Sequence, residues 1–319
     1  MTLTGERCTN RLALLLILPL LLTGCGEALA APYTPQTSEI SSSTGRADFY
    51  ASDLCVTPGD QQLDGVELSD RTCAGLFDVT HAETVYAKNV YERINPASLT
   101  KVMTALVALE NGDLTKTIVA GPNVGITEKG AQKIGLKEGD RMTLDQALHI
   151  LLIYSANDVA NLIAESIAGS VDRFTQMMND RAQSLGATGC HFTNPHGLTD
   201  DMHYVTTYDL YLIFYEAMQY REFRDIIDTA QYSSSYRTAD GTEIPVDIGS
   251  TVGYLSGDFR VPEGVTVIGG KSGTTAAAGH CLILYLKDAA GTEYVSVVMR
   301  TPDAETLEKE MTLLMKNLG

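Results

Sequence analysis

The residues that organise this chain read INPASLTKVMTAL, at positions 94–106. Pro96 stands where a first helical turn tolerates proline. The next positions carry apolar side chains at helical spacing, at Leu99, Val102, Met103, Leu106 and Leu109. Ser98 and Lys101 are three apart, so on this helix they share one face with Cβ atoms about 5–6 Å apart. Ser98 could therefore pass its proton to Lys101, provided that Lys101 is uncharged.

Two further motifs follow in order along the chain. Ser155-Ala156-Asn157 comes just after an apolar helix, where a short loop can present side chains. Lys271-Ser272-Gly273-Thr274 lies between Gly269-Gly270 and an apolar strand. Burial and a nearby second cation both lower the pKa of a lysine, and Lys271 is the candidate cation beside Lys101. Each motif alone is weak evidence for an active site. The three motifs in this order are stronger evidence.

A phosphate loop is the rival interpretation of the third motif, because Gly270-Lys271-Ser272 matches the end of Gly-x-x-x-x-Gly-Lys-Ser. That pattern demands glycine at position 265, where this chain has Val265, and no suitable helix follows. We therefore reject it.

The chain resembles the D-alanyl-D-alanine carboxypeptidases, the low-molecular-mass penicillin-binding proteins. The likeness extends over roughly residues 70 to 319. It is strongest in residues 94–106, 135–139, 151–157, 191–198 and 271–273.

The resemblance implies roles for four catalytic residues. Ser98 would attack the carbonyl between two D-alanines at the end of a peptidoglycan stem peptide, with Lys101 as general base. Ser155 would relay a proton towards the leaving D-alanine. Asn157 would bind the substrate amide and orient Lys101. Water would then hydrolyse the acyl-enzyme, whereas penicillins would acylate Ser98 and leave slowly.

The resemblance also implies a substrate-binding strand. Lys271 and the Ser272 hydroxyl would receive the terminal carboxylate, beside Gly273. The backbone N–H groups of Ser98 and Thr274 would form the oxyanion hole, whose donors are worth about 2.7–4 kcal/mol each. Residues 194–198 would shape the floor of the site, with His196 structural because Lys101 already serves as base.

The chain departs from the family pattern in two motifs. Ala156 replaces the glycine of Ser-Gly-Asn, and Ser272 replaces the threonine of Lys-Thr-Gly but keeps its hydroxyl. Residues 244–267 match the family poorly, which leaves the rim of the substrate site undefined.

The predicted fold is a mixed α/β (α+β) domain of the β-lactamase/transpeptidase type, an antiparallel sheet flanked by helices with a helical subdomain. Apolar runs with turn signals between them predict strands at 74–80, 84–88, 281–286 and 294–299. Helical periodicity predicts helices at 97–109, 158–168, 171–185 and 304–318. Thr143-Leu-Asp-Gln146 is a capping-box pattern before another helix.

Three other activities remain as alternatives. A class A β-lactamase would need a deacylating glutamate shortly after the second motif; Glu165 is there, but its surroundings predict a helix surface. A non-catalytic penicillin-binding scaffold or sensor would not need the intact base Lys101. Transpeptidation would use the same residues, with an amine in place of water.

The first 50 residues predict export and membrane targeting rather than a folded domain. Arg7 and Arg11 precede an apolar run at 12–22, too short for a transmembrane helix and typical of a secretory signal. The run ends in Leu-Thr-Gly-Cys25, similar to the lipobox of bacterial lipoproteins, whose cysteine is lipidated. The alternative is a plain signal peptide cleaved after Ala30 or Ala31.

We accordingly expect a signal peptide at 1–24, a lipid on Cys25, a flexible tether at 25–50 and the peptidase domain at 51–319. Many relatives carry a C-terminal β-rich domain and an anchor helix. Here we expect the lipid to replace that anchor and to hold the protein at the extracytoplasmic face of the bacterial cell membrane.

The composition limits the partners. The net charge is −17. Residues 1–24 carry one net positive charge, from Glu6, Arg7 and Arg11, so their removal gives −18. Such an acidic protein is a poor candidate for binding nucleic acid. We expect peptidoglycan stem peptides and β-lactams as ligands, and no metal or other cofactor, because neither Cys-x-x-Cys nor metal-type histidine spacing occurs.

Four cysteines lie in the expected domain. A bridge between Cys55 and Cys73, which are close in sequence, would contribute about 3 kcal/mol. Cys190 and Cys281 are expected to be small buried hydrophobic residues rather than a second bridge.

Overall fold

The computed structural model describes residues 53–318. The predicted signal peptide, the tether and Cys25 lie outside that range. Within it, the chain forms seventeen helices and strands in this order: β1 (Cys73–Asp78), β2 (Glu83–Lys88), α1 (Thr100–Asn111), β3 (Thr117–Val119), β4 (Arg141–Thr143), α2 (Leu144–His149), α3 (Asn157–Ala168), α4 (Val171–Ser184), α5 (Thr207–Ala217), α6 (Arg221–Ile227), β5 (Gln231–Arg237), β6 (Glu243–Gly249), α7 (Gly253–Ser256), β7 (Thr266–Thr275), β8 (Gly279–Lys287), β9 (Glu293–Thr301) and α8 (Ala304–Met315).

The main sheet has five antiparallel strands in the order β2-β1-β9-β8-β7. β1 lies inside the sheet, between β2 and β9, although it comes first in the chain, and β9 is the central strand. The C-terminal strands therefore complete a sheet that the N-terminal hairpin begins. The predicted antiparallel sheet and both of its predicted hairpins are confirmed.

Apolar side chains are buried on both faces of this sheet. One face packs against α8 through a cluster that includes Leu76, Leu284 and Met311. The other face packs against the helical part through a larger cluster that includes Phe77, Ile283 and Val297. Side chains of neighbouring strand residues point to opposite faces, which explains why Leu76 and Phe77 belong to different clusters.

Helix α1 is the centre of the helical part. All its residues from Thr100 to Ala108 are buried, and it contacts α3, α4 and α5. A helix enclosed on all sides lacks a polar face, in agreement with its apolar sequence. A second sheet, in the order β3-β4-β5-β6, contacts this helical part through α2 and α3. The predicted helical subdomain is thus confirmed.

Local signals fix several element ends. The capping box predicted at Thr143 and Gln146 is present at the start of α2. The apolar stretch that follows is not one continuous helix: it changes into a π-helical turn at Ile150–Tyr154. Ser155 then adopts a left-handed conformation with φ of 71°, which ends the turn and starts the second motif.

The bridge considered between Cys55 and Cys73 is not formed, since all four cysteines of the described part are free thiols. Cys55 Sγ instead donates to the Asp78 carbonyl at 3.2 Å. Cys281 is buried as predicted, and Cys190 is half-buried.

Between residues 53 and 318, none of the helices combines the length and the apolar character that crossing a bilayer requires.

Candidate active site

The first motif forms a tight turn at the start of α1. Residues 97–99 make one 3-10 turn, and Ala97 has a φ of 49°, which non-glycine residues rarely adopt. Ser98 is half-buried, while Leu99 is fully buried. The buried flanks fix the turn and leave the serine hydroxyl accessible at the helix N-terminus, where developing negative charge is stabilised.

The Lys101 amine joins three segments at one point. Its Nζ lies 2.9 Å from Ser98 Oγ, 2.6 Å from Asn157 Oδ1 and 2.6 Å from the His196 carbonyl oxygen. The structure therefore brings together the first two motifs, as the sequence predicts, and adds the carbonyl of residue 196 to them.

Burial and a second cation disfavour the charged form of Lys101. The side chain has no exposed surface. Desolvation is the main cause that moves its pKa well below the usual range, and Lys271 adds to the effect, whereas Asp158 opposes it. The expectation that Lys101 has a lowered pKa is borne out in direction and in both of its causes.

The second motif faces the same space. Ser155 and Asn157 are 6% and 4% exposed. Ser155 Oγ is buried without a hydrogen-bond partner among the described residues. An unpaired buried hydroxyl costs free energy, so this atom is a natural contact for a bound molecule. The backbone N–H of Asn157 donates to the Gln132 carbonyl at 2.8 Å.

The third motif lies on β7. Lys271 is fully buried, and its Nζ donates to the Ser272 carbonyl at 2.8 Å and to Thr251 Oγ1 at 3.5 Å. Burial lowers the pKa of Lys271 to about 7. The Ser272 hydroxyl lies 2.8 Å from both oxygens of Thr251. Thr274, which follows, is exposed.

Two glycines allow other segments to reach the nucleophile turn. A Cβ on Gly273 would lie 2.7 Å from the Ser98 backbone nitrogen, closer than real contacts allow. A Cβ on Gly197, whose φ is 87°, would lie 1.8 Å from the Ala97 carbonyl oxygen. β7 and the loop at 194–198 are thus held against opposite sides of the turn, and each position requires glycine.

A groove of about 550 Å³ lies over these side chains. Its lining includes residues of all three motifs: Ser98, Ser155, Asn157, Ser272, Gly273 and Thr274. The rest of the lining comes from the loop at 128–132, from residues 197–199, from Thr251 and from residues 275–276. A larger cavity of about 730 Å³ lies between residues 260–265, the turn at 288–290 and α8. It contains none of the motif residues.

His196 forms hydrogen bonds within the loop at 194–198. Its Nδ1 accepts the Leu198 N–H at 3.1 Å, and its carbonyl accepts from Lys101. Burial lowers its pKa to about 3, with a contribution from Lys101. Asn194 Oδ1 accepts the N–H of Gly197 at 2.7 Å, which shapes the loop beside the groove.

Three residues near the site were not found from the sequence. Thr251 contacts the third motif but belongs to the poorly matching segment. Gln132 supports the second motif from both ends, because its side chain also donates to the Tyr154 carbonyl at 3.0 Å. His203 packs behind the first motif. No local pattern marks these residues, because their contacts are between segments far apart in sequence.

Glu165, the residue considered for a β-lactamase, lies on α3 and accepts a hydrogen bond from Asn123 at 3.0 Å. It does not line the groove. Over residues 53–318, His, Cys, Asp and Glu side chains do not assemble in threes as a metal would require.

Comparison with known proteins identifies the family. A family model of D-alanyl-D-alanine carboxypeptidases matches residues 70–303. The carboxypeptidase DacF of Bacillus subtilis is 31% identical over 213 residues, covering 66% of this chain and 52% of that protein. DacB2 of Mycobacterium tuberculosis is 37% identical over 185 residues, covering 57% of this chain and 59% of that protein. The chain thus spans between half and three fifths of these relatives.

Solved structures show the same fold. The DD-transpeptidase of Streptomyces K15 superimposes with a TM-score of 0.69 at 26% identity, over 76% of this chain and 95% of that chain. A penicillin-binding protein homolog from Mycobacterium tuberculosis gives 0.68 at 28% identity, over 80% and 94%. The family model covers most of the chain and includes all three motifs. This chain therefore belongs to the D-alanyl-D-alanine carboxypeptidase family.

Proposed function

We propose that this protein is a serine-type D-alanyl-D-alanine carboxypeptidase, which removes the terminal D-alanine from peptidoglycan stem peptides. The observation that carries the proposal is the Lys101 amine, buried and in contact with Ser98 Oγ. A binding protein has no use for a buried lysine beside an accessible serine, whereas a nucleophilic serine needs a base.

The hydrogen bonds of Lys101 suit a neutral amine. Such an amine has two N–H bonds and one lone pair. The Asn157 and His196 carbonyl oxygens can take both N–H bonds at 2.6 Å. The lone pair then faces Ser98 Oγ, ready to accept its proton during attack.

Acylation then forms one bond, to Ser98, and breaks another, to the terminal D-alanine. Ser98 Oγ bonds to the penultimate D-alanine carbonyl carbon while its proton passes to Lys101. The C–N bond to the terminal D-alanine breaks, and the proton now on Lys101 passes through the Ser155 hydroxyl to the leaving nitrogen. Water next attacks the ester, which frees Ser98 and the shortened peptide.

The terminal carboxylate binds at β7. Ser272 and Thr274 line the groove beside Ser98, and Lys271, the preceding residue on β7, contacts the Ser272 carbonyl; in its protonated form it would attract the carboxylate. The Ser272 hydroxyl, now directed at Thr251, can turn to the incoming carboxylate. The N–H groups of Ser98 and Thr274 stabilise the oxyanion.

The carboxypeptidase test is D-alanine release from a diacyl-Lys-D-Ala-D-Ala tripeptide by the full chain in detergent. Release by the wild type and none by Ser98→Ala is expected. Absence of release from the wild type would contradict the proposal. Fast nitrocefin turnover would instead favour a β-lactamase. Penicillin labelling without either activity would favour a scaffold or sensor.

A transpeptidase is the second candidate, because the similar solved structure from Streptomyces K15 is named a DD-transpeptidase. Both activities share the acyl-enzyme and differ in whether water or an amine accepts it. Adding an amino acid acceptor to the tripeptide assay separates them. An exchanged product at the expense of the hydrolysed one indicates transpeptidation.

We also infer that the protein is anchored at the extracytoplasmic face of the membrane by a lipid on Cys25. The apolar run at 12–22 and the Leu-Thr-Gly-Cys sequence support this. The Cys25→Ala variant is expected to leave the membrane fraction and enter the medium. Equal release of wild type and variant would contradict the anchor.

A further inference from the structure

A buried histidine lies directly behind the nucleophile turn, outside the groove. His203 is 1% exposed and packs edge-on against Phe192, with ring centroids 5.6 Å apart. Its Nε2 lies 2.8 Å from Thr100 Oγ1, and its Nδ1 lies 3.0 Å from the Thr193 backbone nitrogen. His203 thus joins the loop that precedes His196 to the first residue of α1.

These contacts form a row of hydrogen bonds from Thr193 through His203 and Thr100, and the donor in each of them can be assigned. The Thr193 N–H can only donate, so Nδ1 of His203 accepts. Burial lowers the pKa of His203 to about 4, which keeps the ring neutral near pH 7. The single ring proton is therefore on Nε2 and is donated to Thr100 Oγ1. The Thr100 hydroxyl in turn donates to the Ala97 carbonyl at 2.8 Å.

This row of hydrogen bonds ends at the peptide group that contains the Ser98 N–H. The Ala97 carbonyl accepts both the hydroxyl and the backbone N–H of Thr100. The Ala97–Ser98 peptide bond is trans, so its N–H points opposite to its carbonyl. Fixing the carbonyl therefore fixes the direction of the Ser98 N–H, which lies beside Gly273.

The turn needs such support. Ala97 has a φ of 49°, a conformation that costs free energy in a non-glycine residue. Without the bonds from Thr100, the peptide plane would be free to rotate towards a more relaxed geometry. Linked hydrogen bonds also polarise one another, so this row of hydrogen bonds strengthens the Ser98 N–H as a donor.

We propose that His203 is a positioning residue for acylation: through Thr100 it aims the Ser98 N–H at the oxygen of the carbonyl that Ser98 attacks. This inference rests on the proposed function, in which Ser98 is the nucleophile. It assigns His203 no contact with substrate.

The test compares Thr100→Val, which removes the hydroxyl at nearly constant shape, with Thr100→Ser, which keeps it. Stopped-flow acylation of the full chain by a penicillin, over a range of concentrations, separates non-covalent binding from the acylation rate constant. We expect Thr100→Val to lower the rate constant by about 10- to 100-fold, somewhat less than the loss of a whole oxyanion donor. Non-covalent binding should be unchanged, and Thr100→Ser should stay near the wild type.

His203→Phe should match Thr100→Val in the same assay. A peptide boronic acid, whose tetrahedral adduct places an oxygen in the oxyanion hole, should lose affinity for both variants by the same factor. His191→Gln is the matched control, since His191 contacts the Met202 carbonyl on the same loop but has no link to Thr100. It should acylate like the wild type.

The inference is overturned if Thr100→Val acylates at the wild-type rate, or if Thr100→Ser is as slow as Thr100→Val. It is also overturned if His203→Phe only lowers the unfolding temperature while its acylation rate stays unchanged. Should His203→Phe not fold, the two Thr100 variants decide alone. A wild-type chain that penicillin does not acylate would instead contradict the proposed function.

Discussion

At the scale of single residues, two buried lysines in different surroundings define the site. Lys101 and Lys271 are both fully buried, and each positive charge disfavours a second one nearby. Two carbonyl oxygens, of the Asn157 side chain and the His196 backbone, accept hydrogen bonds from Lys101, which suits a neutral amine. Lys271 lies next to the place where a substrate carboxylate would bind, which suits an ammonium. The environments of the two residues separate their roles.

We expect Lys101→Arg, which places a permanent positive charge at this position, to slow acylation strongly. Arginine does not lose its proton in proteins, so it cannot accept one from Ser98. The loss should reach about 10²- to 10⁴-fold, the range for a general base, in the stopped-flow penicillin assay. Near-normal acylation in this variant would show that Lys101 acts only through its charge.

The pH profile follows from the same pair. Acylation requires neutral Lys101 and charged Lys271, so the rate should rise with pH through the lowered pKa of Lys101. It should fall again as Lys271 loses its proton, near pH 7 in the free enzyme. A bound carboxylate favours the charged lysine and raises its pKa, so the alkaline limb of kcat should lie above that of kcat/KM.

The control for this profile is Lys271→Arg, which stays charged at all accessible pH. Its alkaline limb should disappear, even if its activity is lower. An alkaline limb that stays in place in Lys271→Arg would assign that limb to another group.

At the scale of elements, the close approach of β7 to the nucleophile turn depends on one missing side chain. We expect Gly273→Ala to slow acylation strongly, since its Cβ would lie 2.7 Å from the Ser98 nitrogen and must push the strand away. Overpacking of this kind typically costs about 1–3 kcal/mol. Penicillin acylation and thermal unfolding, measured together, separate the local effect from general destabilisation.

Gly125→Ala is the matched control, because a Cβ there meets nothing within 4 Å. It should leave both acylation and unfolding unchanged. Similar losses in the two variants would mean that the contact between β7 and the turn is not the cause.

The free thiols give a second prediction at this scale. Burial raises the pKa values of Cys55 and Cys73 to about 11, so both remain protonated and unreactive. The unfolding temperature should therefore be the same with and without dithiothreitol. A lower unfolding temperature in the reductant would indicate a bridge in the purified protein.

The sequence predicted elements where the signal was local. The capping box at Thr143, the hairpin strands β8 and β9, and the periodicity of α3 and α4 are all properties of short windows. The hairpin of β5 and β6 was missed, although apolar side chains alternate at Ile244, Val246 and Ile248 after a turn at Asp240-Gly241.

The contacts that complete the site lay beyond sequence reasoning. Thr251 reaches Ser272, and His203 reaches Thr100, only because distant segments pack together. A threonine or a histidine in a loop gives no periodic signal. The motif residues themselves were predictable because their order and chemistry are specific, and the structure places them around one groove.

At the scale of the whole molecule, the groove belongs to one folded unit. Every residue that lines it lies between Ser98 and Ala276. We expect a chain that begins at residue 51 to cleave the soluble tripeptide as fast as the full chain but not to bind membranes. A large loss of kcat/KM on this soluble substrate would show that residues before 51 contribute to the site.

The position of the nucleophile turn between Gly197 and Gly273 affects when, during synthesis and folding, the site can form. The turn itself is translated early, but its two supports come roughly 100 and 175 residues later, and contacts so distant form slowly. A growing or partly folded chain thus contains the serine and its lysine without a working nucleophile. On the proposed function, Ser98 becomes reactive only once both glycine-containing segments have reached the turn, so a penicillin should label folded chains and not unfolded ones.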